Sequence, residues 1–333
     1  MSGFSDFLGN ERIKEYFART LANGQISHAY ILAGEAGMGR KTLAKAFAMT
    51  LLCEKNAGGQ NSGEPCGVCH SCKQFLSDNH PDVTYITHEK KGIGVDDIRT
   101  QLNGTVQIKP YGSAYKIYIM DEAEKMTTEA QNALLKTLEE PPSYVVIFLL
   151  TTRPDSFLPT ILSRCITLKL KPLYDAVIHE YLTERLHVGK SDADICTAFA
   201  RGNLGRAVTL STSEEFGRLR RSVTSLLRQI HSMDLGQLVE VLRQWKEDQM
   251  DMDECLDFMQ LWYRDVLLFK ATQDTAGFIF KDEYKTIRDI SAKSSFHGIE
   301  EILEGIERAR QRLGANVNFE LTMELMLLTI KEN

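Results

Sequence analysis

Three groups of residues in this chain are of types and spacings that could do chemistry. The first lies in Ser27 to Cys53, SHAYILAGEAGMGRKTLAKAFAMTLLC. A short apolar run, Ala29 to Ala33, is followed by Gly34, Gly37 and Gly39, and then by Leu43, Ala46, Phe47 and Leu51 at helical spacing. Strand, glycine turn and helix in that order predict a P-loop. In such a loop backbone N–H groups cradle phosphates at the helix N-terminus, a Lys directly after the last Gly reaches the β/γ-phosphates, and the next Ser or Thr holds magnesium. Here those two places carry Arg40 and Lys41, and the Lys-Thr pair comes one residue late, as Lys41 and Thr42. One residue turns a helical side chain by about 100° and moves it by about 1.5 Å, so Lys41 cannot point where Arg40 points. A planar guanidinium replaces a compact ammonium poorly, and a lysine in the place of the hydroxyl repels magnesium. The expectation is a degenerate nucleotide site; the alternative is a plain glycine turn in an α/β fold.

The second group is acidic. Tyr115 to Met120 (YKIYIM) reads as a strand that runs into Asp121 and Glu122, then Ala123 and Glu124. Carboxylates at the carboxyl end of a parallel strand stand where open α/β sheets bind ligands. Asp can hold magnesium through water and Glu can polarise an attacking water, so the pair reads as a Walker B motif of the DExx type. Val145 to Leu150 (VVIFLL) is a continuous apolar run, as expected for a central strand buried on both faces, and it ends in Thr151 and Thr152. The Thr152 hydroxyl is either a sensor of a γ-phosphate or simply part of a good strand former.

The third group is sulfur. Cys53, Cys66, Cys69 and Cys72 are spaced C-x12-C-x2-C-x2-C. Two consecutive x2 spacings let thiolates turn onto one centre, and four of them close a tetrahedral structural zinc site. Unligated thiols and iron–sulfur ligation are the alternatives. His70 lies inside the cluster and is expected to be a bystander. The linker Glu54 to Pro65 (EKNAGGQNSGEP) is too polar and glycine-rich to fold alone, which suits a module held by metal. Seven cysteines in all, an odd number, belong to a reduced chain, and the isolated Cys165, Cys196 and Cys255 are expected as small buried hydrophobes.

The elements that must position these groups can be read in outline. With 333 residues the chain is long enough for two or three domains. No apolar run approaches the roughly 18 residues of a membrane span and the N-terminus lacks a signal-peptide core, so no membrane partner and a cytoplasmic location are expected. A net charge of −6 argues against a broad basic surface that holds nucleic acid unaided, so contact with DNA would be shared with partners. Phe4 to Gly24 reads as one helix and Asp82 to Thr87 as a strand. Gly94 to Leu102 reads as a helix start with Asp96 and Asp97 in its first turn, and Ile166 to Leu170 as the last strand. Thr128 to Gln131 reads as a capping box for a helix through Leu134, Leu135 and Leu138, stopped by Pro141 and Pro142. The first half is thus an α/β, doubly wound parallel sheet. Beyond Pro172 the pattern is all-α. Short helices fill 174–209 and end in Arg201 to Arg206. Ile299, Ile302, Leu303, Ile306, Ala309 and Leu313 mark one helix face and Leu321, Leu325 and Leu328 another, read as core or subunit contact.

Several stretches converge on one family. GEAGMGRKTLAKAFAMTLLC, the four-cysteine insert, NHPD (Asn79 to Asp82), NALLKTLEEPP (Asn132 to Pro142) and ILSRC (Ile161 to Cys165) together resemble the bacterial clamp loader, a branch of the AAA+ ATPases. The C-terminal NVNFELTMELMLLTIK is similar more loosely. The resemblance implies an AAA+ RecA-like domain over 1–172 with the zinc module at 53–72, a helical lid over 173–208 and a helical collar over 209–333. It implies a pentameric ring with gamma/tau and delta subunits that opens the sliding clamp and loads it on primed DNA. By the same resemblance Arg164 of the Ser-Arg-Cys motif is an arginine finger reaching into the ATP site of an adjacent gamma/tau subunit, and Arg206 stands where the family carries a sensor arginine. In other systems such a finger supplies on the order of 10³ to 10⁵ in rate. Members with an intact Gly-Lys-Thr are true ATPases, whereas a member with a decayed P-loop is of about this length. Arg40 and Lys41 place the chain with the latter, with ATP and magnesium bound weakly or not at all. The intact Asp121 and Glu122 leave an active ATPase subunit as the alternative.

Overall fold

A computed structural model describes residues 3–57, 63–87 and 92–333. The chain divides into two compact units, one of Met1–Val177 with Asn203–Arg206 and one of Ile178–Gly202 with Ala207–Asn333.

The first unit is built on five strands, β1 (Ala29–Ala33), β2 (Val83–Ile86), β3 (Lys116–Met120), β4 (Val145–Thr151) and β5 (Ile166–Lys169). Their order is β2-β3-β4-β1-β5 and every neighbouring pair is parallel. The helices between them are α1 (Glu11–Asn23), α2 (Arg40–Leu52), α3 (Glu54–Ala57), α4 (His70–Leu76), α5 (Val95–Ile98), α6 (Thr128–Glu139) and α7 (Pro159–Leu162). Period-2 alternation sorts the strand residues into two cores. Tyr30, Leu32, Ile117, Ile119, Phe148 and Leu150 pack with Phe17 of α1 and with Leu43 and Phe47 of α2. Ile31, Tyr118, Met120, Ile147 and Leu149 pack with Ile98, Ala130, Leu134 and Leu138 on the opposite side. Because helices cover both faces, β4 is buried at every residue, which is why it reads as an unbroken apolar run.

Rings tie the first of these cores together. Phe17 and Phe47 stack at 4.1 Å between centroids, Tyr30 and Phe148 stack at 5.5 Å, and Phe17 meets Tyr30 edge-on at 5.5 Å. The phase of α2 is therefore set by the burial of Leu43, Phe47 and Leu51, and the residues of its first turn follow from that phase.

Three expectations change. The helix from Phe4 to Gly24 is interrupted: a short turn, Phe4–Asp6, precedes Gly9 and Asn10 at φ 66° and 53°, and the helix begins only at Glu11. Asn10 is held there by Lys171, whose N–H donates to Asn10 Oδ1 at 2.7 Å and whose carbonyl accepts from Nδ2 at 3.2 Å. The linker after Cys53 is not wholly irregular, since Glu54–Ala57 forms a helical turn; residues 58–62 lie outside the described residues. The N-cap of α6 is Thr127, not Thr128, its hydroxyl accepting from Ala130 N. Gln131 leaves the cap, with its amide donating to Ser156 O at 3.1 Å and accepting from Leu158 N at 2.8 Å.

The second unit is helical, with no strand among its described residues. The helices following β5 are α8 (Asp175–Glu180), α9 (Lys190–Ala200), α10 (Leu204–Thr212), α11 (Glu214–Gln229) and α12 (Leu235–Glu247). They continue as α13 (Met252–Thr272), α14 (Tyr284–Lys293), α15 (Phe296–Gly314) and α16 (Phe319–Glu332). Phe258 of α13 packs at 4.8 Å from Phe280, and Trp262 at 5.4 Å from the same ring. The buried Asp265 carboxylate accepts the N–H groups of Ile279 and Phe280 at 2.8 and 2.9 Å, which fastens the loop after α13. On α15 Ile299, Ile302, Ile306 and Ala309 are buried, as their spacing suggests. On α16 the core side is Met323, Met326, Leu327 and Ile330, so the Leu321 and Leu325 stripe is the outer face, at 55% and 44% exposure. Among the described residues no helix is long and apolar enough to cross a membrane.

Phe148 is fully buried at the centre of the ring stack. Phe148→Ala is expected to lower the unfolding free energy of the first unit by about 3–5 kcal/mol, read as a lower urea midpoint of its transition. A loss below about 1 kcal/mol would show that the stack is not what holds the sheet to α2.

Candidate functional site

The glycine turn lies at the carboxyl edge of the sheet, where β1 leaves between β4 and β5. Gly34 N donates to Thr151 O at 3.1 Å, tying the turn to the end of β4. Gly37 and Gly39 have φ of 88° and 90°, a conformation that strains any residue with a Cβ. The helix then starts, and its first three side chains diverge. Arg40 turns inward, 8% exposed, and its Nη1 has no hydrogen-bond partner among the described residues. Lys41 turns outward to the acidic turn, with Nζ 3.6 Å from Asp121 Oδ2. Thr42 lines a separate cavity of about 210 Å³, walled by Lys45, Phe75 and Asp78 and without Asp121.

The acidic turn has its own partners. Glu122 has φ 50° and pairs with Lys125 at 2.6 Å. Glu124, which the sequence did not single out, takes up the threonine expected at the site: Thr152 Oγ1 donates to Glu124 Oε1 at 2.6 Å. Burial pushes the Glu124 carboxyl up, but hydrogen bonds led by that from Thr152 outweigh it and hold the group below the usual carboxylate range. A second lysine of α2, Lys45, meets Asp78 at 2.7 Å and lies 5.2 Å from the centre of the Tyr85 ring. Its contact holds Asp78 below its usual range.

A segment far along the chain closes over the glycine turn. Asn203 Nδ2 donates to Ala36 O at 2.7 Å and Gly205 N donates to Gly37 O at 3.1 Å. A Cβ on Gly205 would stand 2.5 Å from Gly37 O, so only glycine permits this approach. Arg206 opens onto the same turn, its N–H donating to Asn203 Oδ1 at 3.1 Å. Neither Asn203 nor Gly205 was selected as a site residue from the sequence; the only signal was the run Arg201 to Arg206, read there as the end of short helices, whereas α10 begins within it at Leu204.

Arg164 follows α7 and is not a free charge. Its Nη2 lies 2.9 Å from Glu139 Oε1 at the end of α6, and Nη1 donates to Thr160 O at 3.0 Å. Its side chain is 35% exposed and that of Glu139 51%, so the pair is solvated and contributes little to stability.

The four thiols Cys53, Cys66, Cys69 and Cys72 come together, their Sγ atoms all within 4.8 Å of one another. Cys66, Cys69 and Cys72 donate their backbone N–H to the Sγ of Cys53, Cys66 and Cys69, at 3.3, 3.4 and 3.4 Å. Such N–H donors favour the thiolate, and with those of Val68 and Cys69 the Cys66 thiol falls to about 6. Burial pushes Cys72 up. The cluster contains only sulfur donors, with His70 exposed and outside it, and could hold a soft, tetrahedrally bound metal ion. The NHPD stretch braces this cluster against the sheet. Ser71 Oγ lies 2.9 Å from His80 Nε2, and Asp82 accepts the N–H groups of Gly112 and Ser113 at 3.1 Å each. The buried thiols of Cys165 and Cys196 are pushed up by desolvation, to about 12 and about 11, as inert core thiols are.

Residues 9–174 match the family described as DNA polymerase III, delta subunit, and residues 217–332 match DNA polymerase III, delta subunit, C terminal. The chain is 29% identical over 331 residues to DNA polymerase III subunit delta' of Bacillus subtilis, covering 96% of each chain. It is 30% identical over 313 residues to the delta' subunit of Pseudomonas aeruginosa, covering 91% of this chain and 92% of that one. The tau subunit of Bacillus subtilis is 28% identical over 332 residues, but there the chain spans 58% of its relative's length. On the strength of full-length similarity to delta' subunits, this chain belongs to the DNA polymerase III clamp-loader family, among its delta'-like members.

Proposed function

We propose that this chain serves as a delta'-like subunit that helps an ATP-driven ring open the sliding clamp and load it on primed DNA, without hydrolysing ATP itself. In this reading it stands beside gamma/tau and delta subunits in a pentameric cytoplasmic ring, with 173–208 as lid and 209–333 as collar. It presents Arg164 to the ATP site of a gamma/tau neighbour, where a guanidinium would stabilise the charge that spreads over transferring phosphoryl oxygens. One observation carries the reading: Lys41 occupies the helix position of the magnesium hydroxyl and places its ammonium 3.6 Å from Asp121. A divalent cation would have to displace or repel that ammonium before Asp121 could hold it. Glu122 pairs with Lys125 and Thr152 with Glu124, so the water-polarising and phosphate-sensing roles are taken by internal contacts.

A second reading is favoured by Arg40 alone. A guanidinium 8% exposed with an unpartnered nitrogen is costly unless an anion meets it, which supports retained phosphate binding without turnover and, at its limit, an active ATPase subunit. The two readings separate on the purified chain with magnesium. Background hydrolysis is expected; steady turnover abolished by Glu122→Gln would establish the ATPase and end the first reading.

The sulfur cluster supports a structural zinc ion held by Cys53, Cys66, Cys69 and Cys72. When bound, zinc would offset part of the thiolates' charge and fasten a segment too small to fold alone; in peptides such binding is worth about 10–16 kcal/mol. Elemental analysis is expected to find one zinc per chain in protein purified without chelator, and Cys69→Ser is expected to lose it. Protein without stoichiometric metal would refute the assignment.

Arg164→Ala should change stability by less than about 0.5 kcal/mol and leave assembly intact, because its pair with Glu139 is solvated. In a reconstituted loader it should lower DNA-stimulated ATP hydrolysis partially, at the one site it faces. Hydrolysis and clamp loading at the wild-type rate under saturating ATP would reduce Arg164 to a surface charge.

A further inference from the structure

The cysteine module reaches the glycine turn by a route independent of catalysis. Glu64, two residues before Cys66, receives Phe4 N on Oε2 and Ser5 N on Oε1, each at 2.9 Å. The carboxylate so grips the first turn of the N-terminal arm with both oxygens, and Gly3 carries no Cβ that would collide with it. The arm then buries two rings. Phe4, 6% exposed, stands 5.9 Å from Phe17 and 6.2 Å from Phe47. Phe7, 5% exposed, lies against the glycine turn, its ring 2.8 Å from where a Cβ on Gly39 would be. Lys14 Nζ donates to Phe7 O at 3.0 Å and fixes the far end of the arm. The module itself is stitched to the end of α2, where Asn56 Nδ2 donates to Thr50 O at 2.9 Å and Ser71 Oγ donates to Leu52 O at 2.7 Å.

We propose that the metal-loaded cysteine module is a clasp for the N-terminal arm: through Glu64 it seats Phe4 and Phe7, so that metal occupancy sets the order of the arm and of the glycine turn beneath it. The module has no open donor position for chemistry, and besides its brace to His80 it contacts the arm and the end of α2, which makes holding its work. Without the carboxylate, the arm loses the two hydrogen bonds that hold the N–H groups of Phe4 and Ser5. A single short turn, Phe4–Asp6, ahead of a helix does not order itself, since each residue costs backbone entropy that such contacts must offset.

Hydrogen exchange with mass spectrometry on the full chain tests this, with metal content measured in each sample. The samples are metal-loaded wild type, chelated wild type and metal-loaded Glu64→Ala. Glu64→Ala is expected to retain one metal per chain while residues 3–10 exchange at least about tenfold faster and residues 34–40 also quicken. Chelation is expected to free the same residues together with 66–76, while β3 and β4 keep their rates. The clasp depends on the zinc assignment only for the chelation arm. Unchanged exchange at 3–10 in Glu64→Ala overturns the clasp whatever the metal content. Release of the arm by Glu64→Ala but not by chelation overturns metal control, and faster exchange throughout β3 and β4 overturns a local coupling.

Discussion

The stacking of Phe47 in α2 on Phe17, with Tyr30 and Phe148 beneath, is the constraint from which the site's geometry follows. A helix buried along Leu43, Phe47 and Leu51 cannot rotate about its axis without emptying the core, so the directions of residues 40, 41 and 42 are fixed in advance. The lysine-threonine pair is therefore not a motif waiting for a small adjustment. Moving Lys41 to where Arg40 points would take a turn of about 100°, which the rings forbid. The displaced lysine instead finds the nearest anion, Asp121, and the register of one turn becomes a pairing between two elements.

That pairing is one of a set. Asp121 with Lys41, Glu122 with Lys125, Asp78 with Lys45 and Glu124 with Thr152 each satisfy a carboxylate near the carboxyl edge of the sheet from within the chain. Exposed pairs of this kind add little stability, but the three lysine pairs offset the charge of Asp121, Glu122 and Asp78, while the Thr152 hydroxyl only hydrogen-bonds Glu124. The turn at Asn203 to Gly205 does the same for polar backbone, giving the carbonyls of Ala36 and Gly37 donors that no ligand need provide. Hydrogen bonding at the edge is thus largely settled internally, with Arg40 Nη1 and Glu124 Oε2 among the exceptions.

How much of this was legible depended on the reach of each signal. The strands were read within a residue or so, because alternation at Tyr30 and Leu32 against Ile31, and the unbroken run of β4, report burial directly. The cysteine cluster was legible because x2 spacings constrain geometry by themselves. The α6 cap slipped by one residue because Thr127 and Thr128 offer the same hydroxyl, and what distinguishes them is that Gln131 is bound by Ser156 and Leu158. The break at Asn10 is set by Lys171, 161 residues away, and the cover on the glycine turn by Asn203, 167 residues from Ala36. No local pattern carries such information. Leucines at helical spacing on α16 showed a stripe without saying which side of the helix faced the core; Met323, Met326 and Ile330 decided it.

The cysteine module interrupts the connection between β1 and β2, beginning at Cys53 where α2 ends and returning before β2 at Val83. A crossover between parallel strands already has to travel the length of a helix, and its closure entropy grows by only about 0.6 kcal/mol for each doubling of length. An insertion at that point leaves strand order and register untouched. It is therefore a place where a lineage could gain or shed the whole cysteine module in one genetic step, the sheet indifferent to the change.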